Sequence, residues 1–341
     1  DPKRIDASAF KFHERVEMDL NDIPDRLPSR KFWGPFSWVW KNLDSTEARV
    51  NLPVFLTEAI GTIRTQKKPA RIEKRVEAAR ASWMENGENT SSVSSEFFTI
   101  DFYENQFLLI DKAFTSPIHD RGNLHYRYYI LDTLDIDNRP TFHIACVPRR
   151  RGEYTFEGEL FIDTLTLGLK KVDAKISEGA SINYLRSMRF MMNYEFIENN
   201  WVLTRKEDIV DFSITGGSMG IYAKNTVIYH DFAFAESWPR DIWTSKRDLS
   251  FDKGSNDVLE EVWVSNRPEP LSNREKDIYI LAESVLDMPQ FNLLYGSLYA
   301  ITTGYLEFEK IEIGPWYDAY SYNEVEGSRF GQTVRATDPD G

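Results

Sequence analysis

Between Phe98 and Phe234 apolar residues recur at every second position, and this period constrains the fold more than anything else in the chain. Phe190, Met192, Tyr194 and Phe196 share one side of a strand, as do Tyr126, Tyr128 and Ile130, and Phe142, Ile144 and Cys146. Successive strand side chains point to opposite faces, so a period of two marks strands with one buried face. Turn residues separate the runs: Asp135 to Arg139 in one place, Asn199-Asn200 in another. Phe98, Ile100 and Phe102 read as one more strand, Phe107 and Leu109 as its return; Tyr154 to Ile162, Leu167 to Ile176, Trp201 with Leu203, Ile209 to Ile214 and Thr226 to Phe234 complete the series. About ten consecutive strands on short turns make an antiparallel meander. Residues 8–20 and 53–65 read as two earlier strands.

A sheet of this kind closes into a barrel or curls over a cover. The cover expected here is helical. From Pro69 to Met84, Ile72, Val76, Ala79 and Trp83 recur at helical spacing among Lys, Arg and Glu, with Pro69 suited to a first turn and Asn86-Gly87 to a stop. A second helix is expected over 273–287. There Ser272 and Glu275 form a capping-box pair ahead of Ile278, Leu281, Ala282 and Val285, and Pro289 ends the run. The fold expected is therefore mainly β (α+β), a curved antiparallel meander wrapped around one or two helices. Its divisions are a sheet domain over 1–236, a connecting segment over 237–310 and a distinct C-terminal stretch over 311–341.

Composition narrows the function. Asp and Glu number 54 against 41 Lys and Arg, a net charge of -13 that opposes the phosphate neutralisation nucleic-acid binding requires. Arg149, Arg150 and Arg151 are the one basic run, read as a solvated turn or, functionally, an anion or lipid-headgroup contact. Cys146 is the single cysteine, so neither an internal disulfide nor a cysteine-based metal cluster can form, and its apolar strand context reads as a buried inert thiol.

No catalytic residue, metal ligand or cofactor fingerprint emerges. The five histidines lack zinc-binding spacing. His125 and His143 fall in opposed strands of one hairpin and could meet across it. His230 and Asp231, as strand neighbours, are expected to point apart. Gly216, Ser218 and Gly220 match the bare spacing of a nucleophile elbow, but a strand pattern follows where a helix is required, so a hairpin loop is the better reading. The aromatic strand face at Phe190, Met192 and Tyr194 is the candidate ligand-binding surface. Trp33, Phe36, Trp38 and Trp40, in an irregular proline-containing stretch, are the candidate partner-binding group. For each of these, ordinary packing within the chain is the competing account.

A set of short motifs adds a family resemblance. Pro53-Val-Phe-Leu-Thr-Glu58, Asp101-Phe-Tyr-Glu-Asn105, Ser116-Pro-Ile118, Tyr126-Arg-Tyr-Tyr-Ile-Leu-Asp-Thr133 and Pro148-Arg-Arg-Arg-Gly-Glu153 occur in this order. Phe156-Glu-Gly-Glu-Leu160, Ile162-Asp163, Ile182-Asn183, Arg267-Pro268, Pro270-Leu271-Ser272, Ile313-Gly-Pro315 and Tyr320-Ser-Tyr-Asn-Glu-Val-Glu-Gly-Ser-Arg-Phe330 continue it. Together they resemble an uncharacterised family of Bacteroidetes-type outer-membrane proteins labelled "carboxypeptidase-like regulatory domain-containing". That resemblance implies a periplasmic module leading into a C-terminal membrane β-barrel, with 311–341 as its first strands in a truncated chain, a Gram-negative outer-membrane location and no peptidase centre. The order strand, strand, helix, meander also resembles the half-barrel of lipoprotein-localisation proteins, which implies a lipid, lipoprotein or envelope protein as partner. A periplasmic hydrolase, drawing on His125, His143 or Ser218, and a purely structural spacer are the alternatives.

Overall fold

The computed structural model describes residues 5–22, 44–47, 49–82, 100–110, 112–180, 182, 184–213, 220–243, 248–255 and 258–286, and short strands between 306 and 336. The main strands in chain order are β1 (Ala7–Asn21), β2 (Asp44–Glu47), β3 (Arg49–Lys67), β4 (Ala70–Ala81), β5 (Gln106–Leu109), β6 (Lys112–Thr115), β7 (Tyr126–Ile136), β8 (Arg139–Pro148), β9 (Phe156–Asp163), β10 (Leu169–Ile176), β11 (Leu185–Ile197), β12 (Asn200–Ser213), β13 (Gly220–Ala235) and β14 (Leu249–Phe251). The molecule is mainly β, built on one large curved antiparallel sheet with few helices. Twelve strands form it, in the order β14-β4-β3-β1-β13-β12-β11-β10-β9-β8-β7, with β2 on β3. The meander from β7 to β13 follows the alternation read from the sequence. Its tight turns use left-handed residues, Asp137 and Asn138 at φ 50° and 57°, Glu198 and Asn199 at 47° and 64°, which match the strand twist of two-residue hairpins.

Three expectations fail. First, residues 70–81 are a strand, not a helix. A β-bulge explains the misleading period. Ile60 pairs with Ala78 and Gly61 with Val76, which leaves Glu77 as an extra residue and flips the alternation. Ile72 and Val76 share a face by ordinary alternation, and the bulge adds Ala79 to the same face, so a bent strand reproduces the i, i+4, i+7 spacing of a helix. Gly61 belongs to this device, because a Cβ there would lie 2.0 Å from the Arg75 carbonyl and 2.9 Å from the Phe12 ring.

Second, among the described residues no helix covers the aromatic face of the sheet. The face carrying Phe190 continues across the register to Phe12 and Val76, and over β8–β12 its cover is the non-helical segment 100–118 with the β5–β6 hairpin. Within it, residues 100–105 are turn rather than the strand expected at Phe98 to Phe102. The helices Glu260–Asn266 and Asn273–Leu286 pack on the opposite face, where Trp263 fills a cluster with Ile60 and Ala78. The expected capping box is present: the Glu275 amide donates to Ser272 Oγ at 3.2 Å and the Ser272 amide to Glu275 Oε2 at 2.6 Å.

Third, His230 and Asp231 do not point apart. Asp231 has a φ of 56° beside an irregularity in the β1–β13 register, and its carboxylate lies 3.4 Å from His230 Nδ1 and 2.9 Å from Lys11. The left-handed residue breaks the alternation on which the expectation rested.

Beyond the helices, Leu306–Phe308, Ile311–Gly314 and Thr333–Ala336 form a three-stranded sheet, and Tyr320–Asn323 pairs with Gly327–Phe330. No closed barrel is seen among the described residues.

Candidate functional site

One face of the sheet carries two apolar clusters with a polar island between them. The larger cluster is aromatic. Phe102 meets Phe107 and Phe156 edge-on at 5.6 and 5.5 Å, and Phe190 packs against Phe156 at 5.8 Å. Phe190, Met192 and Tyr194 are all buried in it, Tyr194 against Tyr103 at 5.9 Å, so the candidate ligand surface of the sequence lies in the interior. Hydroxyls pin the cover to the sheet, with Tyr103 accepting from the Leu169 amide at 3.0 Å and Tyr126 donating to the Thr115 carbonyl. Cys146 is buried there too, and burial pushes its thiol up to about 12, as an inert thiol requires. The smaller cluster, on β1, β3, β4 and β13, is Phe12, Ala59, Val76, Ala79 and Val227.

The strand register fixes what separates them. Reading across six strands from the aromatic side, one row runs Met192, Lys206, Val227, Glu14, Ala59, Ala79. The adjacent row begins Phe190, Asp208, Asn225, Val16. Lys206 and Asp208 are both buried and lie 2.9 Å apart; Glu14, also buried, is 2.9 Å from Lys74 on β4. Lys74 sits over the Phe12 ring at 4.7 Å. Burial raises the Asp208 carboxyl to about 6, against the lowering influence of Lys206. Burial likewise pushes Tyr229 up, with the charges of Glu14 and Asp208 adding to the effect. Two acids and two lysines thus form a charge-balanced polar island on an apolar floor. Sequence reading missed it because the four residues come from three strands far apart in the chain; the one local signal was a Lys-x-Asp pair on a strand whose other inward residues are apolar.

The remaining candidates are scattered. Arg149 donates to the Tyr126 carbonyl at 2.9 Å, and Arg150, exposed, pairs with Glu153 at 3.2 Å; Arg151 is exposed beside them. His125 pairs with Glu153 at 3.3 Å, whereas His143 pairs with Glu159 at 2.9 Å and stacks on Phe161, so the two do not meet. Trp33, Phe36, Trp38, Trp40 and Ser218 lie outside the described residues. Among the described residues, no three His, Cys, Asp or Glu side chains are grouped to hold a metal ion.

The opposite face is bound by charge. Glu58, buried on β3, accepts from His13 Nε2 at 2.7 Å, from Arg267 at 2.7 and 2.8 Å and from Arg80 at 3.0 Å. Burial alone would raise its carboxyl, but the hydrogen bonds from Arg267 and His13 and the charge of Arg80 outweigh burial and hold it at about 2. Arg15 reaches Glu275 at 2.9 Å, Arg205 reaches Glu269 at 2.6 Å, and Arg274 pairs with Asp19. These bonds clamp the helical segment onto β1, β3, β4 and β12.

Comparison with known proteins places the chain in a family. The model of DUF5686, a family of unknown function, matches residues 4–231, and the chain belongs to that family. No curated protein sequence matches it. Similar solved structures include a candidate outer membrane lipoprotein-sorting domain from Vibrio parahaemolyticus, at 11% identity over 69% of this chain and 88% of that one, with a TM-score of 0.26. A DUF1329 family protein from Desulfovibrio piger aligns at 9% identity over 69% and 88%, with a TM-score of 0.27. A LolA superfamily protein from Nitrosomonas europaea aligns at 11% identity over 69% and 90%, with a TM-score of 0.21. TM-scores this low do not assign a fold.

Proposed function

We propose that this DUF5686 member is a non-enzymatic binding module of the bacterial envelope, on the periplasmic side of the outer membrane, that takes the acyl part of a lipid or lipoprotein. The observation that carries the reading is the polar island. Burying ion pairs contributes little net stability, and well-packed aliphatic residues commonly do as well or better. Lys206 and Asp208 are two residues apart on one strand, so their pairing ties no distant elements together. This pair and the Glu14–Lys74 pair, on a mainly apolar face, match an amphipathic ligand, with chains against Phe12, Val76 and Val227 and a polar group at the island. Phe190 and Met192 border it as cross-strand neighbours of Asp208 and Lys206 and serve as its wall. Arg149, Arg150 and Arg151 are a secondary headgroup contact at a β-turn, and Trp33, Phe36, Trp38 and Trp40 a partner contact. Residues 311–341 supply the first strands of the membrane barrel.

Native mass spectrometry of gently purified protein tests the central claim. The expected result is an added mass that dissociates as lipid, together with saturable binding of a fluorescent fatty-acyl probe. An apo mass in repeated preparations, with no probe binding, would overturn it.

A further inference from the structure

Among the described residues the sheet ends at β7, which hydrogen-bonds to β8 on one side and has no strand paired on the other. Natural sheets guard such edges with lysine, proline or very short strands. β7 has eleven residues, neither lysine nor proline, and carries exposed Tyr129, Ile130 and Leu131 at 51%, 68% and 53% of their full surface. A strand like this is a template for another strand.

Its register indicates which one. Ile130 pairs with Ile144 and Asp132 with His143, so Leu131 is a bulged extra residue and the alternation flips after it. Tyr128 and Ile130 therefore share the face of Tyr126 and Thr133, while Arg127, Tyr129 and Asp132 share the other. Now set β7 antiparallel to its own copy about a two-fold axis through Tyr129. Tyr129 meets Tyr129 of the copy, Tyr128 meets Ile130, the bulged Leu131 is skipped, and Arg127 meets Asp132. Every opposed pair falls on a common face, and the single cation in this stretch lies opposite an acid twice. Without the bulge, Arg127 and Asp132 would project from opposite faces.

We propose that β7 is a homodimerisation edge, at which two copies join their sheets in an antiparallel pair centred on Tyr129. The interface is isologous, so each Arg127 faces the other copy's Asp132 and a single substitution acts at two places. The proposal does not rest on lipid binding.

The test is sedimentation equilibrium on the full 341-residue chain, at concentrations up to about 100 µM. The chain is expected to dimerise. Arg127→Asp alone and Asp132→Arg alone should each weaken the dimer about tenfold, because attraction becomes repulsion at both pairs, and the double swap should restore it to within about threefold. Tyr129→Lys, which sets two cations across the axis, should leave monomer. Circular dichroism spectra matching wild type establish that these exposed substitutions leave the fold intact. A monomeric wild-type chain would overturn the proposal, and so would a dimer indifferent to the swaps; either result would leave the edge open to a strand from a different protein.

Discussion

The two halves of the sheet are held by opposite means. Over β7–β12 one face is filled by an aromatic cluster under the 100–118 cover, while the other face shows solvent its charged pairs, such as Arg189 with Asp173 and Lys175 with Glu157. Over β13, β1, β3 and β4 the second face is covered as well, and charge does the covering through Glu58, Arg267, Arg15 and Glu275. Apolar packing is non-directional and tolerates an irregular cover. The ionic clamp is directional and defines one seating for the helices, because a buried carboxylate with four charged or polar donors can be satisfied in few ways. Removing part of either should therefore have different consequences.

The largest effect is expected in the aromatic half. Phe156→Ala deletes a ring that touches Phe102, Phe107, Phe114 and Phe190, and should lower unfolding free energy by about 3–5 kcal/mol in urea titration. A loss below about 1 kcal/mol would show that the cluster is loosely packed. Glu58→Gln comes next. It removes the buried counter-charge of Arg267, leaving it only the exposed Glu260, and should cost about 3 kcal/mol, with helix 273–286 becoming more accessible to hydrogen exchange than the aromatic half.

The acid response separates the halves further. The Glu58 carboxyl sits at about 2 when folded, below its ordinary 4.5, so its contribution is full above pH 4.5 and lost as pH falls toward 2. Asp208 runs the other way: raised from 3.8 to about 6, it favours the folded state most below 3.8 and loses that contribution as pH rises through 6. Glu58→Gln should flatten the first slope and Asp208→Asn the second, read as stability against pH by urea titration. If both variants kept the wild-type profile, neither group would be in the environment described. Smaller still, Ser272→Ala removes the cap of the clamp helix at a cost of about 1 kcal/mol in the same titration. Lys175→Ala, at an exposed pair on the solvent face, should shift the midpoint hardly at all.

Much of this was legible without coordinates. The alternation at Phe190, Met192 and Tyr194 fixed which side chains face inward, Asn199 and Asn138 marked hairpins, and Ser272 with Glu275 announced a helix start that the hydrogen bonds reproduce. These are local matters, set by backbone geometry and nearest neighbours. The polar island was not legible, because Glu14, Lys74 and Lys206 converge only once β1 inserts between β3 and β13.

The sequence by itself determined the elements of the meander from β7 to β13, their inward faces and the absence of an internal disulfide, because each follows from residues adjacent in the chain or from a count. Tertiary structure alone decided that 70–81 is a bulged strand, that the helices Glu260–Asn266 and Asn273–Leu286 pack on the face opposite the aromatic core, and that Glu58 gathers His13, Arg80 and Arg267. Those outcomes depend on partners far apart in the chain, and a period of three or four residues is produced equally by a helix turning on itself and by a strand that slips one residue against its neighbour.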